Sequence, residues 1–267
     1  MRRITAACAC HTGFRRHNNE DNFYFAGKCL PKENDGLGEI LTCAVPLDQP
    51  VCFGVFDGMG GEANGEEAAH LAALAMGERM ETGKPVLPGA LLDVCQVANR
   101  RICRAAGGNG GRMGSTAVLL GVCREGAYVV NVGDSRAFLW RGGALRQLSV
   151  DHTDQFLLAR QKEPRRKPRL TQHLGIEPEE MVIEPEEMVI EPAVAELSAR
   201  TGDVFLLCSD GLTDMVSENE ICGVLRRMSA VKAGTEDLLD LALGRGGRDN
   251  VTVILCRLEE DRLADRT

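Results

Sequence analysis

Five acidic positions in this chain stand at the borders of apolar runs. Asp57 closes VCFGVF (51–56), Asp134 follows YVVNVG (128–133), Asp210 follows VFLLCS (204–209), Asp249 precedes NVTVILC (250–256), and the pair Glu20-Asp21 precedes NFYFA (22–26). If the runs are strands of antiparallel sheets, the end of one strand lies beside the start of its neighbour. Asp57 or Asp210 would then share a sheet edge with Asp249 and Glu20. Carboxylates gathered so closely repel unless cations or protons compensate. A set of hard oxygen ligands without convincing His or Cys partners favours Mg²⁺ or Mn²⁺ over Zn²⁺. Each aspartate taken singly has a plainer reading, because Asp-Gly at 57–58 and 210–211 is a common turn dipeptide and an Asp at a strand end often bonds its own backbone.

The stretch VCFGVFDGMGGEANG (51–65) offers a second chemistry. Gly58, Gly60 and Ala63 fit the spacing of a dinucleotide-binding turn between a strand and a helix. Against that reading, Asp57, Glu62, Glu66 and Glu67 place four negative charges where a pyrophosphate would lie. METGKPVLPG (80–89) also stands where the next strand would be needed.

The elements that must position these residues are legible in outline. Buried-strand patterns occur at 4–10, 51–56, 115–123, 128–132, 204–208 and 251–256. Two helical patterns rich in Ala, Leu, Glu and Arg cover 65–81 and 89–106. A third opens with the capping box Ser217-x-x-Glu220, and a fourth is expected to start at Thr235-Glu-Asp, with acidic residues at its N-terminus. Strands, two helices, strands, one or two helices and a final strand make an α+β grouping with mostly antiparallel sheets, since a doubly wound parallel sheet would alternate strand and helix throughout.

Composition bounds the function classes. A chain of 267 residues, 44% hydrophobic and 26% charged, suits one large domain with a buried core. A formal net charge of −8 disfavours non-specific nucleic-acid binding. The N-terminal apolar stretch is too short for a signal-peptide core and no membrane span is found, which predicts a cytoplasmic protein. Eleven cysteines, none in a C-x-x-C pair, suggest neither a disulfide framework nor a thiolate zinc site.

Between Asp151 and Asp203 the regular pattern breaks. RQKEPRRKPR (160–169) is strongly basic, and IEPEEMV occurs at 176–182 and again at 183–189, bringing seven glutamates between 176 and 192. Two copies make an insertion, since a solenoid needs at least three stacked units. Prolines at 178, 185 and 192 disfavour a continuous helix, so a surface loop is expected.

Eight blocks, in order, carry a family resemblance: RHNNED (16–21), FDGMGG (56–61), GSTA (114–117), VGDSRAFL (132–139), LSVDHT (148–153), LTQHLG (170–175), GDVFLLCSDGL (202–212) and GGRDNVTVIL (246–255). They resemble the motifs of metal-dependent protein Ser/Thr phosphatases of the PPM, or phosphatase 2C, type, particularly bacterial members. The resemblance implies a single catalytic domain over 1–267 with a four-layer α-β-β-α sandwich of two mostly antiparallel sheets. It implies that Asp57 bridges two Mn²⁺ or Mg²⁺ ions, that Asp210 and Asp249 complete one ion's ligands, and that Glu20 and the Gly58 carbonyl serve the other. Asp134 with Asp210 resembles a third, weaker metal site. Arg16 matches the arginine that holds the substrate phosphate, a task suited to its planar fork of donors. Asp21 stands as a residue orienting a metal-bound water or as a turn residue at the start of its strand.

The implied reaction is hydrolysis of phosphoserine and phosphothreonine in proteins by a water between the two metals, with a cognate Ser/Thr kinase and its targets as partners. An alternative is a pseudophosphatase that only binds phosphoproteins. Some relatives place a histidine after the Asp-Gly pair where this chain has Met59. A metal-bound water, His152 and His173 are then the candidates for the leaving-group acid. The segment 150–175 corresponds to a short basic flap beside the active site, whose Arg160, Lys162, Arg165, Arg166, Lys167 and Arg169 either steer acidic phosphoproteins or lie solvated.

Overall fold

The computed structural model describes residues 2–59, 64–82, 85–109, 113–161, 167–176 and 190–260. In chain order, strands β1 (Arg2–His11), β2 (Asp21–Phe25), β3 (Leu41–Pro46) and β4 (Val51–Met59) lead to helices α1 (Gly65–Glu81) and α2 (Gly89–Asn109). Strands β5 (Gly114–Ser115), β6 (Ala117–Val122), β7 (Ala127–Val132), β8 (Arg136–Arg141) and β9 (Ala144–Gln147) precede the short helix α3 (Gln155–Gln161). The chain ends with β10 (Ala193–Leu197), β11 (Val204–Cys208), α4 (Asp210–Thr213), α5 (Glu218–Arg227), α6 (Val231–Gly244) and β12 (Val251–Glu260).

Two sheets form, ordered β3-β1-β12-β11-β8-β9 and β10-β7-β6-β4-β2, with β5 paired to the end of β4. Every strand pair among the described residues is antiparallel. Alternate residues of the same strand serve different cores. Ile254 and Cys256 of β12 face the space between the sheets with Phe23, Phe53 and Leu120, whereas Val253 and Leu255 pack beneath α5 and α6 with Val224 and Leu238. Likewise Val118 and Leu120 point between the sheets while Leu119 meets the Ala68, Ala72 and Met76 face of α1. Burial on both faces explains why these strands read as continuous apolar runs instead of alternating ones. The result is the expected α-β-β-α layering.

Two differences from the sequence reading have local causes. Strands β3, β9 and β10 escape detection because they lie at sheet edges with alternating half-exposed positions and mixed composition. Helix α6 starts at Val231, one turn before the expected Thr235; Thr235 is buried within the helix, and the acidic residues that follow occupy the second turn. The capping box of α5 is present, with the Ser217 N–H donating to Glu220 Oε2 at 3.1 Å. The IEPEEMV repeat over 177–189 lies outside the described residues, as do Lys162, Arg165, Arg166 and the C-terminal stretch 261–267.

Candidate active site

The acidic residues come together at one end of the sandwich, but from two sheets and not from one sheet edge. In the β10–β2 sheet, register places Asp21 opposite Asp57. Glu20 stands just before β2, where its carbonyl accepts the Gly58 N–H at 3.1 Å. In the other sheet Cys208 pairs with Val253, which sets Asp210 immediately beyond β11 and Asp249 just before β12. Asn250 joins the halves. Its Oδ1 accepts the Glu20 N–H at 2.8 Å, and its Nδ2 donates to the carbonyls of Thr12 and Asn18 at 2.8 and 3.0 Å. Thr116 fixes Asp57 by accepting its N–H at 3.1 Å, donating its own N–H to the Asp57 carbonyl at 2.8 Å, and bonding Ser135 at 2.7 Å.

Glycine is required in both Asp-Gly pairs by close backbone approach. A Cβ on Gly58 would lie 2.1 Å from the Gly65 carbonyl oxygen and 2.6 Å from that of Glu20. On Gly211 it would lie 1.9 Å from the Asn250 carbonyl oxygen.

A cleft of about 800 Å³ opens on this end. Arg16, Glu20, Asp57, Gly58, Asp134, Asp210 and Asp249, all predicted from sequence, line it. Asp21 does not. It is 1% exposed and lies behind the cleft, its Oδ2 accepting the hydroxyls of Ser209 and Thr252 at 2.7 Å each, a bond set that ties the two sheets together. Of the basic flap, Arg169 lines the cleft and so does Lys167. Its ammonium reaches Asp210 at 2.5 Å and Asp214 at 2.9 Å. Arg16 donates to Asp249 at 2.8 Å and stands 3.8 Å from Glu20.

Burial first, and then the other acids, raise the carboxylates' affinity for protons. Asp57 is pushed well up by desolvation and by Asp210, Asp21, Asp134 and Asp249. Asp21 is raised to about 7 by burial, partly offset by its two hydroxyl donors. Asp134 is raised to about 6 by burial and Asp210. Burial also raises Glu20 and Asp210, the latter opposed by Lys167. Such a site is short of positive charge. Its oxygen-only donors and the room at Gly58 suit hard divalent cations. Among the described residues no three acidic, histidine or cysteine side chains already close around one point, in keeping with Arg16 and Lys167 drawing Asp249 and Asp210 toward themselves.

Of the two histidines, His152 does not line the cleft; burial lowers its proton affinity and its Nδ1 accepts the Gly133 N–H at 3.1 Å. His173 does line it. The dinucleotide reading fails on topology, because β4 pairs antiparallel with both β2 and β6 and is not a strand of a parallel βαβ unit.

The family model described as protein phosphatase 2C matches residues 42–242. The chain belongs to the protein phosphatase 2C family. The phosphatase 2C relatives include the serine/threonine phosphatase stp of Listeria welshimeri, 30% identical over 90% of each chain. Another is the serine/threonine protein phosphatase PstP of Mycobacterium tuberculosis, 33% identical over 96% of this chain and 46% of its own length. A crystal structure of the catalytic domain of PstP in complex with two manganese ions superposes with a TM-score of 0.75 at 27% identity, covering 97% of this chain and all of that one. PppA of Pseudomonas aeruginosa is also similar in structure, with a TM-score of 0.75 at 30% identity, over 96% of this chain and 97% of its own.

Asn250, Ser209, Thr252 and Thr116 escaped the sequence reading of this phosphatase 2C site, and Lys167 stands in it only as one cation of the basic flap. Asn250 stands in the motif block GGRDNVTVIL, but its bridging role depends on the β1–β2 loop folding onto it. Nothing in the sequence distinguishes Ser209 or Thr252 from any other buried hydroxyl.

Proposed function

We propose that this phosphatase 2C member hydrolyses phosphoserine and phosphothreonine monoesters in proteins at this cleft, with two Mn²⁺ or Mg²⁺ ions held by Glu20, Asp57, Asp210, Asp249 and the Gly58 carbonyl. A third, weaker ion belongs at Asp134 with Asp210. The observation that carries the reading is the convergence of Glu20, Asp57, Asp134, Asp210 and Asp249 from both sheets, with the exposed Arg16, on a single cleft. When bound, the ions would supply charge neutralisation and a water acidic enough to act as nucleophile near neutral pH.

The chain's own residues do the rest. Arg16, on the cleft rim with its guanidinium partly free, binds two phosphate oxygens through its fork of donors. Asn250 and Thr116 hold Glu20 and Asp57 in place, and Asp21, braced by Ser209 and Thr252, fixes the carboxylates in front of it. Their buried, hydrogen-bonded seats restrict the geometry before substrate arrives. The products are the free hydroxyl side chain and inorganic phosphate. Phosphorylated proteins are the substrates, and a Ser/Thr kinase acting on the same proteins is the matching partner. No helix among the described residues is long and apolar enough to cross a membrane, and we assign the activity to the cytoplasm.

Phosphate release from a phosphothreonine peptide tests the reading. Mn²⁺ is expected to be required, and Asp57→Asn is expected to lower kcat at least a hundredfold, on the order of the loss when a group acting on the transition state is removed. Full activity in the presence of a chelator, or in the Asp57→Asn protein, would refute it.

A further inference from the structure

His173 is built into the cleft with one ring nitrogen committed and the other open. Leu174 forms a two-way backbone bridge with Ser115, at 3.1 and 2.8 Å. Ser115 in turn pairs with Gly58, and Gly114 with Met59. His173 is therefore pinned across β5 from the Gly58-Met59 turn. A carbonyl oxygen can only accept, so the 2.9 Å contact between His173 Nδ1 and the Leu174 carbonyl is a donated N–H. Gly114 leaves space for the ring, since a Cβ there would come within 2.6 Å of Nδ1. Nε2 remains as the nitrogen without a backbone bond, on a side chain that lines the cleft.

The other proton donors of the cleft are poorly suited to releasing a proton. Arg16 and Arg169 stay protonated throughout. Lys167 is clamped by Asp210 and Asp214. The Thr116 hydroxyl is shared with Ser135. Glu20, Asp57, Asp134, Asp210 and Asp249 are the metal-holding groups of the proposed function, and Glu66 accepts a hydrogen bond from Asn18. Imidazole is the side-chain type whose ordinary range brackets neutral pH.

We propose that His173 is a catalytic residue, the general acid that protonates the departing serine or threonine oxygen, an inference that rests on the phosphatase reading above. As water adds to phosphorus, the P–O bond to the side chain breaks and its electron pair stays on oxygen. The Nε2 proton of the imidazolium moves to that oxygen, giving the alcohol. The ring is left neutral with its proton on Nδ1, the tautomer that the Leu174 carbonyl already favours, and takes up the proton released by the attacking water. No oxidant or further reactant is needed.

The test compares two leaving groups on the Mn²⁺-loaded protein. A phosphothreonine peptide leaves as an alkoxide that needs a proton, whereas p-nitrophenyl phosphate releases a stable phenolate. His173→Ala and His173→Gln are expected to lower kcat on the peptide by roughly a hundredfold to a thousandfold, in the range of general acid catalysis, with KM unchanged. On p-nitrophenyl phosphate they are expected to lose less than about fivefold. The glutamine variant keeps size and polarity should the alanine variant misfold. Equal losses on both substrates, or none on either, would overturn the assignment while leaving the phosphatase reading intact. A wild-type protein inert toward the peptide with Mn²⁺ would sink both.

Discussion

Lys167 illustrates how a residue with no distinctive sequence context acquires a role. In the sequence it is one of several cations in a basic stretch; in the fold it bridges Asp210 and Asp214. An ion arriving at Asp210 must displace that ammonium. Lys167→Ala is therefore expected to raise the affinity of the protein for Mn²⁺, by a severalfold factor because the lysine side chain is half exposed and its ion pairs are screened by solvent. Titration calorimetry on the metal-free protein reads this directly, and unchanged or weakened binding would remove Lys167 from the competition. The residue scale also separates Asp21 from the other acids. Its sequence neighbour Glu20 lines the cleft, whereas Asp21 points into the wall behind it, because successive residues at a strand's start face opposite sides.

At the scale of elements, the site depends on two Asp-Gly dipeptides, one at the end of β4 and one opening α4. At the end of β4 Gly58 lies against the carbonyls of Glu20 and Gly65, and at the start of α4, just after β11, Gly211 lies against the carbonyl of Asn250. Neither contact leaves room for a methyl group, and the opposing atoms are backbone, so relief requires moving a strand end. Gly211→Ala is expected to destabilise the protein by about 1–3 kcal/mol, the usual range for overpacking, and to weaken Mn²⁺ binding by displacing Asp210. Urea denaturation with a midpoint equal to wild type would contradict this. Sequence reading located the apolar runs of both strands and the Asp-Gly pairs that close them, since these are local signals, although the first pair continues β4 and the second opens α4 instead of forming turns. It missed edge strands β3, β9 and β10, where partial exposure mixes the composition, and interior strand β8, whose short buried run is flanked by Arg136 and Arg141; it began α6 one turn late because the Thr-Glu-Asp stretch imitates a helix start.

For the whole molecule, gathering carboxylates at one end of the sandwich opposes folding when no ion is bound. A carboxyl whose folded pKa is raised is harder to ionise in the fold than in the unfolded chain, where it titrates near pH 4. Its contribution is harmless below that value and becomes destabilising as pH rises through the folded pKa, about 6 for Asp134 and about 7 for Asp21. The metal-free protein is thus expected to lose stability between about pH 4 and pH 7, and Mn²⁺ should raise Tm more at about pH 8 than at about pH 5.5. Thermal unfolding with chelator and with Mn²⁺ at both pH values checks the sign. A larger Mn²⁺ effect at the acidic pH would contradict it.

The sequence by itself determined which residues carry charge beside which strands, that the elements group as α+β, and, through eight ordered motif blocks, the family to which those residues belong. Those properties are local or are written in residue order. Only the tertiary structure decided that Glu20 and Asp57 come from one sheet and Asp210 and Asp249 from the other. It also decided that Asn250 and the Asp21-Ser209-Thr252 bonds lock the two together, and that His173 and not His152 reaches the cleft. The physical reason is that side chains up to 233 positions apart in the chain, as Arg16 and Asp249 are, meet through strand register and sheet packing. Neither leaves a periodic mark on the residues that it brings together.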